Sequence, residues 1–184
     1  MEALEAIHSR VMRPKVGADA PPKAVIEELL EAAVRAPSHH LTEPWRFYVL
    51  QGDSRNLIAN AIAATAIDAG TPPDEARADA ERKVARAPVI VVFTCLPADG
   101  PDVVEQEELA SVAMAIENFL LAAHAKGLGA MLRTGPAAYH PSITQELGLA
   151  QSETVVGFVY LGHPEGQRSL TPRATAAERT TWLL

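Results

Sequence analysis

The unbroken apolar run Val89-Ile90-Val91-Val92-Phe93 constrains the fold more than any other part of the sequence. A strand with one face in water alternates apolar and polar side chains. A continuous, mostly β-branched run is the pattern of a strand covered on both faces. Further strands are predicted over residues 45–50, 130–132 and 154–161. The spacing predicts helices over residues 2–9, 23–36, 74–86, 105–126 and 142–147. Another helix, with Leu57, Ile58, Ala61 and Ile62 on one face, follows Ser54, which is read as its cap. Ser142 is read as the start of the helix over residues 142–147, and Gly148 as its end. Helices outnumber strands and their order is mixed. The expected fold class is therefore α+β, a central sheet with helices packed on it, in a single domain over residues 1–184.

The longest predicted helix spreads Leu109, Val112, Ala113, Ile116, Phe119, Leu120 and Ala123 over much of its surface. A helix apolar on more than one face needs a second wall, and another subunit can supply it. The stretch after His163 is rich in Pro, Arg and Thr and makes no core of its own. Trp182-Leu183-Leu184 at its end suggests docking on a partner.

Charge and composition narrow the functions open to the chain. A net charge of −7 argues against nucleic acid or an anionic membrane as the main partner. No apolar run is long enough to span a bilayer, and residues 1–10 lack the apolar core of a signal peptide. A soluble cytoplasmic protein is expected. Cys95 stands alone inside an apolar run, so it reads as a small core residue, with no disulfide framework and no thiolate metal cluster.

Three segments carry candidate binding chemistry. The first, AVRAPSHHLTEPWRFYVLQG (residues 33–52), reads as a helix end stopped by Pro37, a polar loop and a strand. Arg35 and the His-rich loop suit a bound anionic cofactor; a plain connector with solvated histidines is the alternative. The second, Arg10-Val11-Met12-Arg13-Pro14-Lys15, sets cations in a stretch stiffened by proline. Such guanidinium groups fork onto phosphate oxygens, although an exposed basic turn has the same composition. The third, Arg133-Thr134-Gly135-Pro136, places backbone N–H groups beside an arginine, the makings of a phosphate nest. The polar stretch over residues 97–105 is a candidate cover for a site.

Taken in order, four pieces carry a resemblance. They are the N-terminal helix ending in Arg10, RAPSHH…PW (residues 35–45), IENFLLAAHAKGLGAMLRTG (residues 116–135) and VVGFVYLGHPEG (residues 155–166). Together they resemble the FMN-dependent nitroreductase family, and within it the minimal-length YdjA-like NAD(P)H nitroreductases. The resemblance implies a nitroreductase-like fold, with a central, mostly antiparallel sheet flanked by helices. It also implies an intertwined homodimer holding FMN at the subunit interface. The implied activity is that of an oxidoreductase: NAD(P)H reduces FMN and leaves, then a nitroaromatic, quinone or similar small oxidant takes the electrons, a ping-pong cycle.

The same resemblance implies the site residues. Arg10, Val11, Met12 and Arg13 form the phosphate segment. Arg35 and His39 lie against the flavin, with His39 supplied across the dimer. Met131, Leu132 and Arg133 approach the flavin, with Arg133 on the phosphate. Leu121, Ala122, Ala123, His124, Ala125 and Lys126 fall where a nicotinamide contact is expected. No catalytic side chain is implied, because flavin N5 carries the chemistry, and no metal is implied. The sequence departs from the family at Val11-Met12, where a basic residue and Ser are usual, at Leu41, where Asn is common, and at Glu43, where Gln is common. An FMN-binding module with little turnover, or a flavin enzyme with a different specialised substrate, remains an alternative.

Overall fold

The computed structural model describes residues 1–183. Four strands, β1 (Trp45–Gln51), β2 (Val89–Cys95), β3 (Gly129–Arg133) and β4 (Thr154–Gly162), form one sheet in the order β1-β2-β4-β3, each pairing antiparallel. Six helices accompany it: α1 (Ala3–Ser9), α2 (Lys23–Ala33), α3 (Asn56–Asp68), α4 (Pro73–Val84), α5 (Glu105–Ala125) and α6 (Pro141–Leu147).

Every residue of β2 is buried, as its composition requires. Its alternate side chains serve two cores. Val89, Val91, Phe93 and Cys95 pack with α2 and α5, while Ile90 and Val92 pack with α3, α4 and α6. Phe47 and Phe93 meet edge-on at 5.1 Å, and Phe93 and Phe119 at 5.4 Å, which carries aromatic packing from the sheet into α5. Cys95 is fully buried, and burial pushes its thiol up to about 11, so it is an unreactive core residue.

Strand β4 departs from simple alternation. The pairing slips between Phe93 and Thr94, so that Phe93 faces Gly157 but Thr94 faces Val155. This bulge turns Val155 onto the same side as Phe158 and Tyr160, and leaves Val159 and Leu161 on the other. The same end of the sheet holds a polar cluster that the sequence reading did not anticipate. Glu153 is buried and accepts hydrogen bonds from the hydroxyls of Tyr48 (2.9 Å) and Thr94. Burial first, then the Glu153 carboxylate, raises the Tyr48 hydroxyl above its ordinary range.

Element ends differ from the sequence reading for local reasons. Helix α2 stops at Ala33 rather than Ala36, because the chain tightens through Arg35 N–H to Ala32 O and Ala36 N–H to Ala33 O ahead of Pro37. Ser54 does not cap α3. It closes the preceding 3-10 turn, accepting from Gln51 N–H at 2.9 Å and donating to Gln51 O at 2.8 Å. Helix α6 starts at Pro141 rather than Ser142, and its cap is His140, whose Nδ1 accepts from Ser142 N–H at 3.3 Å. Gly148 ends it with φ 64°, a left-handed conformation that glycine adopts without steric cost.

Residues 163–183 are exposed throughout, including Trp182 and Leu183; Leu184, the end of the segment read as docking on a partner, lies outside the described residues. No helix among the described residues is long and apolar enough to cross a membrane.

Candidate functional site

The N-terminal segment runs along the free edge of β3. Arg13 N–H donates to Ala130 O at 2.9 Å, Val16 bridges to Pro164, and Gly17 N–H donates to His163 O at 2.8 Å. Gly129 makes this approach possible: a Cβ there would fall 2.8 Å from Val16 Cγ1 and 3.1 Å from Arg13 Cβ. The segment is thereby anchored beside the start of β3, and its arginines with it.

Arg10 Nε lies 3.1 Å from Glu117 Oε1 on α5, and Arg13 Nη1 donates to Gly166 O at 3.3 Å. Met12 packs its side chain against the α2/α5 core, and Lys15 is exposed. His124 completes the cluster: its Nε2 is 2.8 Å from Ser9 Oγ. Ser9 spends its own proton on Glu5 O, at 2.6 Å, so the histidine must be the donor and carries its proton on Nε2. Burial lowers the His124 pKa below the ordinary histidine value, and Arg13 and Arg10 lower it further against a smaller opposing pull from Glu5.

A pH prediction follows from that depression. As pH falls through the ordinary histidine range, the unfolded chain takes up a proton before the folded chain does, so His124 withdraws stability between its ordinary pKa and its depressed one. Urea unfolding of His124→Gln at pH 7.5 and at pH 5.5 should show a smaller loss on acidification than the natural chain shows. An equal loss in the two proteins would mean that the ring is not held neutral by this cluster.

Of the segment expected to meet nicotinamide, Ala123 is fully buried and Ala122 packs against the core, so neither side chain faces an open site. Lys126 pairs with Glu28 of α2. Leu121 is half-buried, and Ala125 is exposed at the end of α5.

Arg133 does not join Arg10 and Arg13. The register sets Arg133 opposite Phe158 and Met131 opposite Tyr160, so both side chains share the α3/α4 face of the sheet, while Leu132, opposite Val159, faces α5. The Arg133 guanidinium stands 5.3 Å from the centre of the Tyr160 ring, and its Nε is buried with no hydrogen-bond partner. It opens onto a cavity of about 460 Å³ that Lys83, Arg86, Phe158, Tyr160 and the Thr134-Gly135 turn help to line. None of the lining residues is acidic. Lys83 and Arg86 fall in the charged stretch over residues 74–86 that the spacing predicts as a helix. Lys83 lies in the last turn of α4 and Arg86 just past its end, directly before the buried run of β2.

The loop between α2 and β1 is unusual in its backbone. His40, Leu41 and Glu43 adopt left-handed φ of 49°, 55° and 48°. None is glycine, and each such residue costs on the order of 1 kcal/mol or more. Leu41 is 82% exposed at the tip. His39 Nε2 lies 2.9 Å from Glu107 Oε2, and Arg35 is exposed at the loop's start. Among the described residues no cluster of three or more metal-ligating side chains occurs.

Helices on both faces of an antiparallel sheet, with cations at both ends of an edge strand and a cation-lined cavity beside it, define an α+β sandwich. Comparison with known proteins makes this specific. The model described as the Nitroreductase family matches residues 10–163. The protein named "Putative NAD(P)H nitroreductase YdjA" from Escherichia coli (strain K12) is 30% identical over 165 residues, covering 90% of each chain. A nitroreductase-like family protein from Bacillus cereus superposes with a TM-score of 0.85 at 21% identity, over 100% of this chain and 96% of that one. The FMN and NADPH-dependent nitroreductase NfnB from Sphigopyxis sp. strain HMH superposes with a TM-score of 0.81 at 20% identity, over 100% and 99%. The chain belongs to the nitroreductase family.

Proposed function

We propose that this protein is an FMN-dependent oxidoreductase that takes electrons from NAD(P)H and passes them to a nitroaromatic, quinone or similar small acceptor by a ping-pong cycle, as a cytoplasmic homodimer. The observation that carries this reading is the placement of Arg10 and Arg13 beside the start of β3 and of Arg133, with its buried unpartnered Nε, at the strand's end. FMN joins a phosphate dianion to a flat ring whose carbonyl oxygens accept hydrogen bonds, so the donors present fit both ends of it.

In this reading Arg10 and Arg13 grip the phosphate, helped by the backbone N–H groups of Val11 and Met12 rather than by a side-chain hydroxyl. Met131, Leu132 and Arg133 approach the flavin, Arg133 through the donor that the fold leaves unpaired. Arg35 and His39 lie against the flavin, with His39 supplied across the dimer. Leu121, His124, Ala125 and Lys126 keep the proposed nicotinamide contact, with Ala122 and Ala123 as the packing beneath. Bound FMN supplies the electron-transfer chemistry at N5. Exposed Leu4 and Ile7 on α1, Met114 on α5 and Trp182 in the tail support a second copy as the missing wall. The names carried by the relatives, NAD(P)H nitroreductase for one and FMN and NADPH-dependent nitroreductase for another, support the choice of cofactor and reductant.

The deciding experiment is the visible spectrum of the purified protein. It should be yellow or become so with FMN, bleach without oxygen on addition of NADPH or NADH, and regain its colour when a nitroaromatic is supplied. Protein that takes up no FMN defeats the reading; protein that binds FMN but is not reduced by either nicotinamide would instead be an FMN-binding module.

A further inference from the structure

We propose that Glu107 and Glu108, in the first turn of α5, are positioning residues that hold the loop over residues 38–43 in its left-handed shape and so present His39. The flavin half of this inference rests on the function proposed above.

A connector of this length has no need of three left-handed non-glycine residues, and such a conformation persists only where its surroundings over-determine it. Inside the loop the ties are Leu41 N–H to Ser38 O, Thr42 N–H to His39 O, and Glu43 N–H to Ser38 Oγ. From β1, Arg46 Nη1 donates to Glu43 O at 3.1 Å, and the loop's own side chains reach out to α5. Thr42 Oγ1 lies 2.6 Å from Glu108 Oε1, and His39 Nε2 lies 2.9 Å from Glu107 Oε2.

Glu108 is 1% exposed. The favourable field at a helix N-terminus accounts for acids in this turn generally, and Glu105 is one of them. It does not account for burying one of them, which is costly unless its oxygens are satisfied. Here Oε1 takes the Thr42 hydroxyl, and Oε2 takes Ala98 N–H at 3.3 Å. As a carboxylate Glu108 only accepts, so Thr42 donates to it, and Ser38, 3.3 Å from Thr42 Oγ1, donates to Thr42 in turn. One carboxylate thus fastens the His39 loop and the segment after β2 to the same helix turn. Glu107, one residue earlier, sets the orientation of the imidazole.

The test has two arms. In the full chain without cofactor, Glu108→Gln should speed amide exchange over residues 38–43 by about tenfold or more while β2 and β4 exchange as before. Thr42→Val, which removes the hydroxyl from the other side, should do the same and serves if Glu108→Gln does not fold. In the FMN-loaded protein, Glu107→Gln should shift the flavin midpoint potential, and that shift should vanish when His39→Ala is already present. Unchanged loop exchange in both Glu108→Gln and Thr42→Val overturns the clamp. A Glu107→Gln shift of equal size with and without His39 overturns the claim that Glu107 acts through the imidazole. If His39→Ala alone leaves FMN affinity and potential untouched, the flavin-facing reading of the loop fails, and the exchange arm still decides whether the acids hold its shape.

Discussion

Replacing Arg10 and Arg13 together with alanine is expected to give a folded protein that purifies colourless and binds FMN at least about a hundredfold more weakly. A hydrogen bond to a charged partner is worth about 1.5–3 kcal/mol, so two lost guanidinium contacts to a phosphate remove roughly 3–6 kcal/mol of affinity, or 10² to 10⁴ in Kd. The lower end is the better expectation, because Arg10 already has a partner in Glu117 and exchanges part of that ion pair for the phosphate. The fold should survive: the bond that seats the segment on β3 comes from the Arg13 backbone N–H, which the substitution keeps. Lys15→Ala is the matched control, since Lys15 is exposed, and its effect should be no more than a few-fold at ordinary salt. Fluorescence titration of FMN into the apoprotein measures all three. Wild-type affinity in the double variant would place the phosphate elsewhere.

Phe119→Ala should produce the largest loss of stability. The side chain is fully buried on α5 and meets Phe93, the centre of the aromatic series that runs from β1 through β2 to the helix. Deleting a buried phenyl ring costs about 3–5 kcal/mol, from lost transfer energy and the cavity left behind. That is a large part of the roughly 5–15 kcal/mol by which proteins are folded. For a chain of this size it corresponds to a fall in Tm of roughly 6–20 °C. The measurement belongs on apoprotein at fixed concentration, since cofactor and any subunit association both stabilise by mass action. Phe119→Leu, which refills much of the space, should lose distinctly less. A loss in Phe119→Ala below about 1 kcal/mol would mean that α5 does not pack on the sheet as described.

Both predictions draw on features that a linear reading reaches to different degrees. The apolar stripe of α5 and the unbroken run of β2 report their own burial, because helical and strand periods are local. Arg10 and Arg13 were legible as a cationic pair for the same reason. Lys83 and Arg86 were not: in sequence they are ordinary members of a charged helix, and only the approach of Arg133 and Tyr160 from another part of the chain makes them line a cavity. Glu153 and Glu108 were equally silent, since a buried glutamate looks like an exposed one until its hydroxyl partners arrive from far along the chain.

The sequence by itself settled the α+β class, the places of all four strands, the inert burial of Cys95 and the cations of the N-terminal segment. Tertiary structure alone decided on which face of β3 Arg133 falls, how the β4 bulge reverses Val155, and that a loop with three left-handed residues is tied to α5 through His39 and Thr42. Periodicity and composition are properties of neighbours along the chain. Strand register and a buried carboxylate's partners depend on contacts between residues far apart in it, which come together only when the sheet closes.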